Sequence, residues 1–306
     1  MQAPHSAKPR AQSSAKHAPK PAQVIEELRP GQSIELLKEL HILTREGKLN
    51  QDTRRKLKQV YHLYNFIEPL LNDVFTATGN ATLADHGAGK SYLGFILYDL
   101  FFNVAYRGEK TQGHIYGIET RAELVEKSRA LAAHLGFARM SFLNLSVQQA
   151  TTSGDLPGQI DIVTALHACD TATDDAIAFG LAKRARHMVL VPCCQAEVAG
   201  VLKRSRALNL SKNPLAELWR HPLHTREFGS QITNVLRCLQ LEANGYNVTV
   251  TELVGWEHSM KNELILASRP STPSAAKTRV AQERLQAVLG ELGLGELTAR
   301  FAVPLA

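Results

Sequence analysis

The chain has 306 residues, of which 44% are hydrophobic, so it can bury a substantial core without needing a staple. No apolar run approaches the roughly 20 residues that span a bilayer, which excludes a membrane helix. The net charge of +6 is modest, but eight of the basic residues form two clusters, Lys8, Arg10, Lys16 and Lys20 in an acid-free tail, and Arg54, Arg55, Lys56 and Lys58. Such clusters favour a polyanionic partner, most often nucleic acid.

In chain order, the pattern divides the sequence into four parts. Residues 1–22 are low in complexity, and we expect a disordered basic tail there. An organelle transit peptide is the alternative, which the four prolines of this segment disfavour because such a peptide usually forms an amphipathic helix. Apolar residues at spacings of three and four predict a helical extension over residues 23–75. Residues 76–269 form the main domain, and residues 270–306 are expected to be a linker followed by a helix over 278–300.

The main domain alternates short apolar runs with amphipathic segments, which predicts an α/β doubly wound fold. Strands are expected at residues 81–85, 114–119, 140–144, 160–166, 187–192, 248–254 and 264–267. Helices are expected at about 90–104, 121–135, 173–185 and 229–244. Residues 145–158 are expected to be a loop-rich crossover, and residues 196–228, which are basic and contain histidines, show no clear strand.

The most informative stretch runs from the first predicted strand into the first helix of the main domain. An apolar strand ends in Asp85, and the turn that follows contains Gly87 and Gly89. Glycines allow positive φ and let a ligand pack against bare backbone, while a helix N-terminus offers free N–H groups. The second strand ends in Glu119, where an acid can accept both hydroxyl protons of a ribose. The pattern predicts a nucleoside-binding corner.

Two other nucleotide-binding classes compete for this corner. Ala84, Gly89, Lys90 and Ser91 satisfy a relaxed phosphate-loop pattern, in which Lys90 would hold phosphates and Ser91 a magnesium ion. Strand residues take up the segment before Gly87, which leaves too short a loop for a triphosphate, and Glu119 would have no role. A dehydrogenase is disfavoured because no third glycine completes the dinucleotide pattern.

The run from Asp85 to Leu93 resembles motif I of class I S-adenosylmethionine-dependent methyltransferases. More narrowly, it is similar to the methyltransferase-domain family related to tRNA ribose methyltransferases, whose members carry Asp-x-Gly-x-Gly-Lys-Gly-x-Leu; Ser91 replaces the third glycine. The resemblance covers about residues 54–268 and implies a Rossmann-like sheet of seven strands, six parallel and one antiparallel. It also implies S-adenosylmethionine as cofactor, held by Asp85, Gly87, Gly89, Glu119, Asn144 and His167.

Two further segments, at the ends of the fourth and fifth predicted strands, resemble motifs of the same family. Residues 165–174 resemble the His-x-Cys-Gly…Thr-Asp segment, and residues 191–195 the Cys-Cys-His segment, with Asp170 and Gln195 departing from the usual Gly and His. Methyl transfer to a hydroxyl or protonated nitrogen needs a proton acceptor. Asp170 is our first candidate for this base and His167 the second; the alternatives are an N-cap for the helix near Thr173 and a core imidazole.

The cysteines of these segments leave three hypotheses open. The thiolate of Cys194 or its neighbour Cys193 could add to C6 of a pyrimidine. His167, Cys169, Cys193 and Cys194 could gather zinc, although the spacing gives no firm metal motif, and we assign no metal. Buried, inert thiols are the simplest interpretation.

The acceptor and the setting are predicted from charge and cysteine usage. RNA, either tRNA or rRNA, is the preferred acceptor because of the basic clusters and the basic segment 196–228. A protein or small-molecule acceptor is the alternative, and a non-catalytic protein that kept the cofactor fold is a third hypothesis. Four cysteines do not make a disulfide framework, so a reducing, cytoplasmic setting is expected.

Overall fold

The computed structural model describes residues 27–106, 112–166, 170–192, 195–205, 217–218, 220–253 and 263–302. Residues 1–30 and 31–306 form separate units, and the second contains the sheet and its helices. The strands are β1 (Asn80–His86), β2 (Gln112–Glu119), β3 (Met140–Asn144), β4 (Ile162–Leu166), β5 (His187–Val191), β6 (Asn247–Glu252) and β7 (Glu263–Ser268). The predicted basic tail, residues 1–22, lies outside the described residues.

Helices alternate with most of these strands along the chain. They are α1 (Ile34–Glu39), α2 (Gln51–Thr78), α3 (Tyr92–Leu97), α4 (Ala122–His134), α5 (Val147–Thr152), α6 (Ala172–Ala182), α7 (Glu197–Ser205), α8 (Pro222–Ala243) and α9 (Ala275–Glu291). A π-helix (Tyr98–Ala105) continues α3, and a 3₁₀ turn (Gly295–Leu297) follows α9.

All seven strands join one sheet in the order β3-β2-β1-β4-β5-β7-β6. The first five are paired in parallel, and β7 is antiparallel to both β5 and β6. This arrangement confirms the predicted doubly wound fold with six strands in one direction and one reversed. The strand order reverses between β1 and β4, and ligands of such sheets bind beyond the carboxyl ends of the strands at this switch point.

The central strands are apolar because the sheet is covered on both faces. Every residue of β5 is buried, and β4 buries all but its last residue. Continuous apolar runs of this kind are typical of parallel strands between two helical layers. The core on one face includes Ile177 and Phe179 of α6 packed with Met188 of β5. The sheet is therefore a rigid base for the loops at its carboxyl edge.

Three helical segments differ from the sequence prediction. The crossover at 145–158 contains the short helix α5, which a capping box between Ser146 and Gln149 begins. Residues 197–205, for which the sequence indicated only that no clear strand is present, form α7. Helix α8 begins at Pro222 rather than near 229, since a proline is favourable in the first turn of a helix.

The predicted helix at 90–104 is in fact two kinds of helix. Helix α3 ends at Leu97, and residues Tyr98–Ala105 have the wider π-helical spacing. The wider turns bury Phe101 and Phe102 together, at 0% and 2% exposure. Tyr98 stacks on Phe137, with ring centroids 4.5 Å apart. Aromatic packing accompanies the change in helical geometry, and hydrophobic periodicity does not distinguish the two spacings.

Helix α2 is the longest helix, with 28 residues, and it leads directly into β1 through Gly79, which has φ 67°. It packs against β1 and α3, so it runs antiparallel to β1. Its last turns lie near the amino ends of the strands, where Asp73 pairs with Arg186 at 2.7 Å. Its first turns, including residues 54–58, therefore point toward the carboxyl ends.

Helix α2 continues through residues 75 and 76, where the sequence pattern divides the extension from the main domain. The predicted terminal helix, 278–300, begins earlier and ends at Glu291, before Gly293 with φ 63°. Leu285 and Leu289 of α9 share a hydrophobic cluster with Leu236 of α8. No helix in the described ranges is long and apolar enough to cross a membrane.

Candidate active site

The turn after β1 has the conformation that its glycines suggest. Gly87 and Gly89 have φ 63° and 57°, in the left-handed region. The turn is closed by the Ser91 N–H, which donates to the Ala88 carbonyl at 2.6 Å, and it is tied to the end of β2 by the Ala88 N–H, which donates to Ile118 at 3.2 Å. A Cβ added to Gly87 would meet no atom within 4 Å. At Gly87 the turn therefore leaves open space above bare backbone, as a bound ligand requires.

Ser91, which stands where the family has its third glycine, has a left-handed backbone conformation that favours glycine. Its φ is 51°, a conformation that costs a non-glycine residue roughly 1–2 kcal/mol. Its side chain is fully buried, and its hydroxyl has no hydrogen-bond partner among the described residues. A phosphate loop needs this hydroxyl to face a magnesium ion. The burial of Ser91 and the exposed position of Lys90 argue against that alternative.

Asp85 lies at the carboxyl end of β1, beside Thr164 of β4. Its side chain is buried, and Oδ1 accepts a hydrogen bond from the Thr164 hydroxyl at 2.8 Å. Burial raises the pKa of Asp85 to about 7, and the Thr164 bond only partly offsets this effect. A cation placed next to this carboxylate would stabilise its ionised form.

Glu119 lies at the end of β2 and contacts the glycine turn directly. Its Oε2 accepts the Gly89 N–H at 2.9 Å, and its Oε1 accepts the Arg121 N–H at 3.0 Å. The Arg121 guanidinium donates to both oxygens at 3.1 Å. Burial alone would raise the pKa of Glu119, but the bonds from Arg121 and Gly89 outweigh it and hold the pKa at about 2. Glu119 is therefore an ionised acceptor at neutral pH.

The remaining predicted cofactor residues have different positions. Asn144, at the end of β3, donates through Nδ2 to the carbonyls of Glu119 at 3.0 Å and Thr120 at 2.8 Å. Its amide therefore holds the chain that follows β2. His167, predicted for both the cofactor site and the base, lies outside the described residues.

Asp170 lies between β4 and α6, with φ 50° at a position where the family has glycine. Its Oδ1 accepts backbone N–H groups from Ala196 at 2.9 Å and Glu197 at 3.3 Å. These groups belong to the N-terminus of α7, so the carboxylate caps α7 and not the helix near Thr173. Cys169, Cys193 and Cys194 lie outside the described residues, so the thiolate and zinc hypotheses stay as predictions. Elsewhere in the described chain, no three His, Cys, Asp or Glu side chains gather as a metal site.

A buried polar network lies beneath the loops that follow β4 and β5, and the sequence pattern did not predict it. Arg237 of α8 has no exposed surface and binds both carboxylate oxygens of Asp174, at 2.8 and 2.7 Å. It also donates to the Asp170 carbonyl at 2.7 Å and to Asn234 Oδ1 at 3.0 Å. Helix α8 thus holds the loop after β4. The only signal in the sequence was the i, i+3 spacing of Asn234 and Arg237 on the same side of the helix as buried apolar residues.

The same network reaches the loop after β5 and the start of β7. Gln195 Nε2 donates to Asn234 Oδ1 at 3.3 Å, and the Ser230 hydroxyl donates to Gln195 Oε1. Asn234 Nδ2 donates to Glu263 at 2.5 Å. Three loops at the carboxyl edge of the sheet are therefore connected through one face of α8.

The chain has recognisable relatives among known proteins. Residues 55–201 match the model of a family described as a methyltransferase domain. A glutathione S-transferase C-terminal domain-containing protein from Xenopus laevis is 24% identical over 240 residues, which cover 73% of this chain and 36% of the relative. The chain thus spans about a third of the length of this curated relative.

Three solved methyltransferase structures are also similar. An rRNA methylase from Streptococcus thermophilus has 10% identity and a TM-score of 0.40, covering 69% of this chain and 96% of that chain. The magnesium protoporphyrin IX methyltransferase of Synechocystis PCC 6803, with bound SAH, has 14% identity and a TM-score of 0.42, covering 76% and 94%. An SAH-bound methyltransferase from Podospora anserina has 10% identity and a TM-score of 0.43, covering 78% and 88%. These similarities do not bear on the substrate.

The family match begins in α2 and ends in α7, and so includes β1 to β5 with the turn at Gly87 and the acid at Glu119. The donor set fits the cofactor of this class, since a buried carboxylate, bare glycine backbone and an ionised acid suit an ammonium group, a carboxylate and a ribose. Residues 55–201 therefore match a methyltransferase domain, and the cofactor of this kind of domain is S-adenosylmethionine.

Proposed function

We propose that this chain transfers a methyl group from S-adenosylmethionine to RNA. One observation supports the assignment of the cofactor site. The glycine turn is hydrogen-bonded directly to the acid that ends β2, since Gly89 N donates to Glu119 Oε2 at 2.9 Å. This bond places the two groups that would hold the methionine portion and the ribose side by side. When bound, the cofactor supplies a methyl group on a sulfonium, which an acceptor atom attacks in line.

Each residue of the proposed site has a distinct task. Asp85 would hold the ammonium group of the methionine portion, and Gly87 and Gly89 would leave room for it. Glu119 would accept the ribose hydroxyls, and Asn144 would keep Glu119 in place through the backbone.

The proton released by the acceptor would go to His167 or Asp170. Because Oδ1 of Asp170 is committed to the N-terminus of α7, a proton would have to go to its Oδ2. Cys194 is a candidate only for an acceptor that is methylated through a covalent pyrimidine adduct.

The cofactor assignment predicts a loss of binding when Glu119 is replaced. Glu119→Ala removes two charge-assisted acceptors for ribose, and we expect affinity for S-adenosylhomocysteine, measured by calorimetry, to fall about 10- to 100-fold. Asp85→Ala should weaken binding as well. The control is Glu126→Ala, which removes an exposed acid of α4 that pairs with Arg129. Unchanged binding in both site variants refutes the assignment.

Support for RNA comes from the charge at the start of α2. Arg55, Lys56 and Lys58 are exposed on a helix whose first turns point toward the carboxyl edge of the sheet. Exposed basic residues of this kind suit phosphate contacts. A protein or small-molecule acceptor, and a non-catalytic binding role, are the competing proposals.

The acceptor is tested by incubating the protein with tritiated cofactor and total RNA, protein and metabolite fractions. We expect label in RNA. We also expect the triple variant Arg55→Glu, Lys56→Glu and Lys58→Glu to bind RNA more weakly. The slope of log K for RNA binding against log salt concentration should fall in magnitude by about 2–3 in this variant. The matched control reverses three exposed basic residues of α9: Lys277, Arg279 and Arg284. Label in protein or metabolites instead overturns the RNA proposal, and no label with S-adenosylhomocysteine still bound favours the non-catalytic one.

A further inference from the structure

The Glu119 carboxylate has no acceptor capacity left over in the described structure. A carboxylate offers about four lone-pair positions. Two are taken by the backbone N–H groups of Gly89 and Arg121, at 2.9 and 3.0 Å. The other two are taken by Nε and Nη2 of Arg121, each at 3.1 Å, and the Thr120 hydroxyl makes a longer contact of 3.4 Å. A ribose diol needs two of these positions.

The four N–H groups that donate to Glu119 within 3.1 Å differ in how easily they can move away from its carboxylate. The Gly89 N–H is held by the closed turn, and the Arg121 N–H is held by the start of α4. The Arg121 side chain, in contrast, is 60% exposed, whereas that of Glu119 is only 7% exposed. The guanidinium can therefore move into water with little loss of packing, and the carboxylate cannot follow it.

The guanidinium also occupies the space over the glycine turn. A Cβ built on Gly89 would lie 3.7 Å from Nη2 of Arg121. The fork of Arg121 thus lies beside both the turn and the acid, on the accepting oxygens that a ribose bound to Glu119 would use.

We propose that Arg121 occupies the ribose position of the cofactor-free site and sets the affinity for cofactor by competing for Glu119. Two guanidinium N–H groups leave the carboxylate and two ribose hydroxyls replace them, so the number of hydrogen bonds at Glu119 does not change. This inference rests on the proposed role of Glu119 as the ribose acceptor. The cost of releasing Arg121 is an ion-pair cost, which salt screens.

Calorimetry with S-adenosylhomocysteine tests the proposal in the native protein and in Arg121→Met, Arg121→Lys and Lys127→Met. Arg121→Met is expected to bind about two- to fivefold more tightly at low salt, the range expected for an exposed ion pair. The difference in affinity between Arg121→Met and the native protein should become smaller as the salt concentration is raised. Arg121→Lys should lie between the two, since an ammonium lacks the two-pronged fork. Lys127→Met removes one charge from an exposed position of α4 and should leave affinity unchanged.

The outcomes separate this proposal from the one on which it rests. If Glu119→Ala loses affinity while Arg121→Met binds as the native protein does or more weakly, the site stands and the competition is wrong. An equal gain in Lys127→Met shows a general charge effect and also overturns it. If Glu119→Ala binds normally, the ribose-binding role of Glu119 and the competition by Arg121 are both wrong. Circular dichroism and thermal unfolding of Arg121→Met confirm that the variant is folded.

Discussion

Asp174→Ala is expected to lower the free energy of unfolding by about 3–5 kcal/mol, because it leaves the guanidinium of Arg237 buried without its counter-charge. The pair is fully enclosed, with side-chain exposures of 0% for Arg237 and 4% for Asp174. Both carboxylate oxygens are bonded at 2.7 and 2.8 Å, so no water can replace them without opening the core. Urea denaturation of the native and variant proteins measures the difference.

Two controls isolate the effect of the unpaired charge. Asp175→Ala removes the neighbouring acid of α6, which is 42% exposed and lies 3.9 Å from Arg300, and it should cost less than about 1 kcal/mol. Asp174→Leu combined with Arg237→Met removes both charges and should recover much of the loss, since an apolar pair can replace a buried ion pair. A loss below about 1 kcal/mol in Asp174→Ala contradicts the prediction.

The affinity for S-adenosylhomocysteine is expected to fall about tenfold per pH unit below pH 7. Burial raises the pKa of Asp85 to about 7, so the carboxyl of the free protein is increasingly protonated below that pH. An ammonium group binds the ionised form, so binding must release this proton, and one linked proton changes the dissociation constant about tenfold per unit. Calorimetry between about pH 5.5 and 8, in buffers of matched ionic strength, measures the slope.

Asp85 also makes the stability of the folded protein depend on pH, and this dependence has the opposite sign to that of an acid whose pKa is lowered by folding. The folded protein holds the Asp85 proton more tightly than the unfolded chain, in which the carboxyl returns to its ordinary pKa of 3.8. Stability without cofactor should therefore fall as the pH rises from about 4 to about 7. Asp85→Asn should remove both pH dependences. A native binding curve that is flat across pH 7 contradicts the assigned role of Asp85.

The strand ends could be predicted because sequence pattern and tertiary environment agree there. Asp85 and Glu119 each follow a buried apolar run, and glycines mark the turn that follows the first run. An acid that ends such a run has few structural reasons to be there. The composition of the sheet, with six parallel strands and one antiparallel strand, follows from the family resemblance.

The parts that could not be predicted depend on distant contacts. Asp170 caps α7, a helix that starts 27 residues later, and no local spacing shows that bond. Arg237 is wholly buried although arginine is usually exposed, and only the fold brings Asp174 to it. The π-helix is missed because hydrophobic periodicity does not separate it from an α-helix when nearly every side chain is apolar.

Helix α2 sets a fixed distance within this domain. Its 28 residues form a rod about 42 Å long, anchored at one end where it enters β1 and carrying Arg55, Lys56 and Lys58 near the other. The helix therefore fixes the separation between its basic end and the sheet. Under the proposed function, an RNA that contacts both the basic end and the methyl donor must span this separation, so the length of the RNA limits which molecules are methylated.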